Sequence, residues 1–166
     1  MSKDLYLIRH AMANEKESGQ KDIDRFLASE GIQAATKTGH HFKQEGIQPD
    51  IIITSPAVRA LATATLIAEQ LKYNTDQVHL NDELYEGSVR TLLQVVNRLK
   101  DDWKKVFIVT HNPAVSYLAE YITEAEIGSM VPGGYAHIRI PGDEWAKVSD
   151  STGELIEYKD PATYDF

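Results

Sequence analysis

Leu5-Tyr6-Leu7-Ile8-Arg9-His10 is the stretch whose reading decides the fold. Consecutive apolar residues describe a strand buried on both faces, as in the parallel sheet of an α/β protein. The run then stops at two basic residues. The same punctuation recurs twice. Ile51-Ile52-Ile53 runs into Thr54-Ser55-Pro56, with Arg59 one helical turn later. Phe107-Ile108-Val109 runs into Thr110-His111-Asn112-Pro113. Ligands of open α/β sheets bind outside the carboxyl ends of the strands. Arg9, His10, Arg59 and His111 are therefore expected in one place. Such a cluster suits an anion, and a phosphoryl group is the first candidate.

Working outward, strands are expected at residues 3–9, 50–54, 78–80 and 105–110. Residues 11–27 are polar and aperiodic and read as a loop near the first strand end. Residues 29–46 carry Ile32, Ala35, Gly39 and Phe42 near helical spacing, with Gly46 as a stop signal. Ser55-Pro56 reads as a helix start, with Ser as N-cap and Pro in the first turn. Residues 88–100 form another helix, with Val89, Leu92, Leu93, Val96 and Leu99 on one face. Asn112-Pro113 repeats the cap-and-proline signal ahead of the stripe Val115, Leu118, Ala119 and Ile122. Both helix starts would aim their amino termini near the anion if the strand ends converge.

The last third changes character. Residues 135–140 alternate, with Ala136, Ile138 and Ile140 on one face and Tyr135, His137 and Arg139 on an outward one. Pro141-Gly142-Asp143 is a turn signal, and residues 144–149 are expected to return as the second strand of a hairpin. Leu155-Ile156-Glu157-Tyr158, within the acidic tail from Glu154 to Asp165, also has strand-like character. The whole predicts a single α/β domain over residues 1–166. It would have three layers, helix on sheet on helix, around a mostly parallel sheet with an antiparallel edge.

Bulk properties narrow the function. A length of 166 residues suits one domain, and 42% hydrophobic content is ordinary for a globular chain. The absence of cysteine excludes disulfides, thiolate catalysis and cysteine-based zinc sites. No signal-peptide or membrane-spanning segment precedes the first strand, so a soluble cytoplasmic protein is the expectation; a monomer is expected as well. A formal net charge of −8 argues against nucleic-acid binding, which needs a basic face. It also makes a local basic cluster more specific. No carboxylate–histidine spacing resembles a metal site, and no metal or cofactor is expected.

A neutral imidazole is a capable nucleophile. Attack by His10 on phosphorus would give a phosphohistidine and split one hydrolysis into two easier steps. Arg9 and Arg59 would grip the phosphoryl oxygens through their planar donor forks, and His111 would donate to another. Positioning and charge stabilisation carry most of phosphoryl transfer, so this set nearly suffices. A lone Arg-His pair after a strand is ordinarily just a polar loop start. The combination of three strand ends is what gives the pair meaning.

Leu7-Ile8-Arg9-His10-Ala11, Thr54-Ser55-Pro56-Ala57-Val58-Arg59-Ala60 and Val109-Thr110-His111-Asn112-Pro113 together resemble the histidine phosphatase superfamily, which contains the phosphoglycerate mutases. The resemblance implies that His10 is the phosphorylated nucleophile. It also implies that Arg9, Arg59 and His111 form the phosphate pocket. Ala11 stands where that superfamily commonly has Gly, a swap frequent in its small SixA-like branch. The short distance from Arg59 to His111 leaves little chain for a cap over the pocket. An open site suits a phosphorylated side chain on another protein. The SixA-like branch implies a His-containing phosphotransfer or phosphocarrier protein as partner. Asp82-Glu83-Leu84-Tyr85-Glu86 and residues 103–113 also look like that branch.

Glu86 lies about where the superfamily places its proton donor, and a carboxylic acid there would protonate the leaving group. Arg25 falls in a segment resembling the family's Arg-Pro-Leu stretch, with Phe26 in place of Pro, and is a candidate substrate contact. His40, His41, His79 and His137 read as structural or solvent-facing. The leading expectation is a metal-independent phosphatase for protein phosphohistidine. A small-molecule phosphomonoesterase with the same core is the alternative, and a non-catalytic phospho-binding module stands behind both.

Overall fold

The computed structural model describes residues 1–164, so Asp165, at the end of the acidic tail, lies outside the described residues. The strands are β1 (Ser2–Arg9), β2 (Ile51–Thr54), β3 (His79–Leu80), β4 (Lys105–Thr110), β5 (Tyr135–Pro141) and β6 (Glu154–Lys159). The helices are α1 (Ser29–Gln44), α2 (Val58–Gln70), α3 (Val89–Asn97) and α4 (Ala114–Thr123). One sheet holds all six strands in the order β3-β2-β4-β1-β5-β6. β1, β2, β3 and β4 pair in parallel, and β5 joins β1 antiparallel, with β6 antiparallel beyond it. The expected α/β architecture, mostly parallel with an antiparallel edge, is the observed one.

Alternation along the strands builds the two outer layers. Leu5, Leu7, Ile53, Val106 and Ile108 face α3 and α4. Tyr6, Ile8, Ile52, Phe107 and Val109 face the other way, toward Phe42 of α1 and the alanines of α2. That is why Leu5-Tyr6-Leu7-Ile8 is apolar throughout: all four residues are buried. α1 ends as expected. Gly46 takes φ +70°, and its N–H and that of Ile47 close back onto Lys43 and Phe42, the glycine-terminated helix end.

The register sets the site. Arg9 pairs with Thr110 and Thr54 with Val109, so β1, β2 and β4 finish side by side. The chain continues that alignment for one more residue. His10 N–H donates to Thr110 O at 3.1 Å and Ser55 N–H to Val109 O at 3.0 Å. The loop after β1 is then pinned to the start of α1. Ala28 N–H donates to Met12 O at 3.0 Å. A Cβ at Gly31 would stand 2.0 Å from that same carbonyl oxygen, so only glycine lets the helix approach so closely.

Three sequence expectations need correction. Residues 144–149 are not a strand; a short 3-10 turn occupies Trp145–Lys147. Trp145 is fully buried, its backbone N–H donating to Asp101 Oδ1 and its indole N–H to Trp103 O, both at 2.9 Å. The Asn97 amide binds the carbonyls of Trp145 and Val148. These side-chain bonds hold the segment in a turn, and the strand-like stretch around Leu155 takes the sheet edge as β6. Second, the face bearing Tyr135 and His137 is not outward. Both residues are buried and only Arg139 of that face is exposed. Third, α2 begins at Val58 rather than Pro56, and α4 at Ala114. Among the described residues, no helix is long and apolar enough to cross a membrane.

Candidate active site

A cavity of about 450 Å³ opens where the three strands end, lined by Arg9, His10, Asp22, Arg25, Arg59, Tyr85, Glu86 and His111 among others. Every site residue expected from the sequence is therefore here, including Arg25 and Glu86. His10 and His111 meet edge to face, with ring centroids 4.9 Å apart.

The hydrogen bonds of His10 fix its tautomer. Nδ1 lies 2.7 Å from Ala11 O, an acceptor, so Nδ1 carries the proton and Nε2 keeps its lone pair. Burial pushes the His10 pKa down to about 4; the bond to Ala11 opposes this, and the charges of Arg59, Arg9 and Arg25 add to the fall. The ring is thus neutral at pH 7. Ala11 itself is buried, donates its N–H to Thr63 Oγ1 at 3.0 Å and packs with Leu27 and Ala35. Its φ is not positive, so alanine carries no backbone strain there.

Ser55 does not cap a helix. Its Oγ accepts from Ala57 N–H at 3.2 Å and lies 2.8 Å from His111 Nε2. This contact anchors the His111 ring by one nitrogen and leaves Nδ1 as its other polar atom. Burial, followed by the neighbouring His10 and Arg59 charges, pushes the His111 pKa down to about 3.

Arg9 arrives on β1 and donates from Nη1 to Met130 O at 2.6 Å. Its Nε is buried and has no hydrogen-bond partner among the described residues. Arg59, in the first turn of α2, is buried against the first loop. Its Nη1 donates to Asp22 O at 2.8 Å and its Nη2 to Asp22 Oδ2 at 3.0 Å. Arg25 donates from Nε to Asn14 O at 2.9 Å and from Nη1 to Asp22 Oδ1 at 3.1 Å. Tyr85 OH donates to Asp22 Oδ2 at 2.7 Å. That bond, burial and the carboxylates around it push the Tyr85 pKa up to about 12. Glu86 takes φ +58°, a left-handed conformation uncommon outside glycine. Such strain gathers at functional positions.

Sequence reasoning does not find Asp22, the hub of this network, nor the bond from Ser55 to His111. Asp22-Ile23-Asp24-Arg25 carries one legible hint, an acid three residues before a base on a tight turn. The partners Arg59 and Tyr85 come from distant elements, and no local pattern announces them.

Residues 5–92 match the profile of the histidine phosphatase superfamily, branch 1. The chain belongs to the histidine phosphatase superfamily. It is a phosphatase with the phosphoglycerate mutase-like fold. A Mycobacterium tuberculosis protein of uncharacterised function is 27% identical, the match covering 93% of this chain and 99% of the relative. In fold, the phosphatase is similar to the protein assigned as phosphohistidine phosphatase SixA in Nakamurella multipartitia. That TM-score is 0.79 at 24% identity, over 98% of each chain. The protein histidine phosphatase SixA complexed with tungstate aligns with a TM-score of 0.80 at 19% identity. It covers 96% of this chain and 97% of its own.

Proposed function

We propose that this phosphatase hydrolyses phosphohistidine on a protein substrate through a phosphorylated His10, without a metal ion or cofactor. The observation that carries the reading is the state of His10: neutral, with its proton committed to Ala11 O and Nε2 unprotonated, beside three guanidinium groups. In the first step Nε2 attacks phosphorus and the bond to the leaving group breaks. A phosphohistidine protonated on its other ring nitrogen departs as neutral imidazole and needs no further proton. An ester oxygen would need one, and Glu86 is the group to supply it. In the second step water attacks phospho-His10, Glu86 accepts the water proton, and inorganic phosphate leaves.

Arg9, Arg59 and Arg25 hold the phosphoryl oxygens, and His111 donates to one of them. A phosphoryl oxygen would also satisfy the unpaired Nε of Arg9. The protein-substrate half of the reading is supported by the open cavity and by the similarity in fold to SixA. A single domain without a cap, acting as a monomer in the cytoplasm, completes the proposal.

The test is a timed assay in EDTA, on a phosphohistidine-bearing phosphocarrier protein and on a panel of small phosphate esters. Faster release from phosphohistidine, abolished in His10→Ala, is the expected result. Turnover of esters with none from phosphohistidine would replace the protein substrate by a small one. Equal rates for parent and variant on every substrate would remove His10 from the mechanism.

A further inference from the structure

Asp22 is an oddity in a phosphate pocket: a carboxylate facing the same space as the phosphate-binding groups. It sits on the turn Asp22–Asp24, and its side chain is 45% exposed at the cavity mouth. Oδ2 accepts from Arg59 and Tyr85, and Oδ1 accepts from Arg25. An ionised carboxylate offers about four lone-pair sites. Three are used, and one on Oδ1 remains. The Tyr85 hydrogen bond, then those from Arg25 and Arg59, hold this carboxyl well below the usual range, against the opposing effect of burial. Its charge is therefore permanent at working pH.

Geometry says which part of a substrate meets that charge. Phosphoryl transfer runs in line, so the leaving group sits opposite the attacking atom. His10 lies at the strand ends, so the leaving group points away from them toward solvent, and the part-exposed carboxylate of Asp22 lines the cavity it crosses. We propose that Asp22 is a specificity residue, which selects leaving groups that are cationic or present an N–H and rejects those that are anionic. It also holds Arg59 and Arg25 in place, a positioning role. The selection deepens the phosphohistidine reading, because a protonated imidazole is such a leaving group, and its test stands apart from that reading.

Three ligands with one two-carbon skeleton isolate the charge: phosphoethanolamine, ethyl phosphate and phosphoglycolate. Their dissociation constants would be measured on the full chain carrying His10→Asn, which prevents turnover, at low salt. Binding is expected to weaken in that order, by about tenfold from first to last, since like charges brought together oppose association. Adding Asp22→Asn should compress the spread to less than about threefold and tighten phosphoglycolate. Glu86→Gln runs alongside, because Glu86 also lines the cavity.

A purely structural role for Asp22 would weaken all three ligands alike and leave the spread intact. That outcome overturns the proposal, as does equal binding in the parent. So does a spread removed by Glu86→Gln and not by Asp22→Asn. Should Asp22→Asn fail to fold, Asp22→Ser makes the same measurement. Failure to release phosphate from phosphohistidine would sink the substrate reading alone and leave this charge series to be judged by itself.

Discussion

Two pairs among the six histidines of this molecule have opposite surroundings. His10 and His111 meet at the strand ends, edge to face, among three arginines. His41 and His137 lie in the aromatic layer between α1 and the sheet. His41 donates from Nε2 to Tyr135 OH at 2.9 Å, and that hydroxyl donates on to Glu157 at 2.9 Å. Its ring stacks on Tyr164, with centroids 4.4 Å apart. His137 stacks on Tyr6 at 4.2 Å and lies 2.7 Å from the Asp4 carboxylate through Nε2. All four are hydrogen-bonded, but His41 and His137 are buried whereas His10 and His111 are only partly so, at the cavity wall. What separates the pairs is company. The aromatic-layer histidines have carboxylates within one or two hydrogen bonds, while the strand-end histidines have cations around a cavity. A buried imidazole becomes a nucleophile by keeping an unprotonated nitrogen at an open face, and only the first pair is placed to do so.

The widest break in this comparison is by substitution at each centre. His10→Asn should lower turnover by about 10³-fold or more, since the nucleophile is lost outright. It should also abolish the acid-labile, base-stable phosphoenzyme visible on intact-mass spectra. His137→Asn should leave turnover within about threefold and affect stability instead. If the two variants had the same kinetics, the distinction between the pairs would be wrong.

The cationic company of the site is tested next. Arg59→Lys keeps one positive charge but loses the fork that binds Asp22 through both of its terminal nitrogens. We expect kcat to fall by about 10²-fold, comparable to the loss of one donor to a developing charge. Steady-state kinetics decide it: a change confined to KM would mean that Arg59 holds ground state and transition state equally.

Much of this contrast was legible in the sequence. The unbroken apolar run Leu5 to Ile8 fixed a central parallel strand, and three strand ends carrying Arg or His fixed the cluster. These signals are local and repeat. Alternation along β5 tells which residues share a side, not whether another layer covers it; here α1 and Tyr164 do. Ile32 shares the helical spacing of Ala35, Gly39 and Phe42 yet is exposed, while Thr38 and His41 of the same helix are buried. Polar side chains that find partners inside a protein defeat a pattern based on hydrophobicity. Asp22 is illegible in the sequence for a related reason. Its meaning lies in bonds to Arg59 and Tyr85, which only the folded chain brings together.

A smaller effect sharpens the other half of the comparison. His41→Phe keeps a ring against Tyr164 but removes the donor to Tyr135 OH. Losing one partner of a buried pair costs about 1–3 kcal/mol. For a chain of this size, each kcal/mol lowers Tm by roughly 2–4 °C. Calorimetry should show that drop with turnover at low temperature unchanged. A fall in turnover at temperatures where the variant is folded would mean that the aromatic layer reaches the site.

The finest test is pH, because it sets activity and stability against each other in the same residue. His10 titrates near 4 and His111 near 3 in the folded protein, both below the ordinary histidine value. In the unfolded chain the same imidazoles take up protons near pH 6.5. Between those values the unfolded state binds more protons, so stability rises with pH there. The contribution is present in full above pH 6.5 and is lost as pH falls through the window toward 4. His10→Gln should flatten part of that slope in a series of Tm measurements from pH 7 to pH 4. The reacting lone pair behaves differently, since it stays unprotonated until pH approaches 4. Single-turnover phosphorylation of His10, measured on the folded fraction, should therefore stay level from pH 7 to pH 5 while Tm declines. A phosphorylation rate that instead fell with a midpoint near 6.5 would show that His10 titrates like an exposed imidazole. The two histidine pairs would then differ in their neighbours but not in the property that makes one of them reactive.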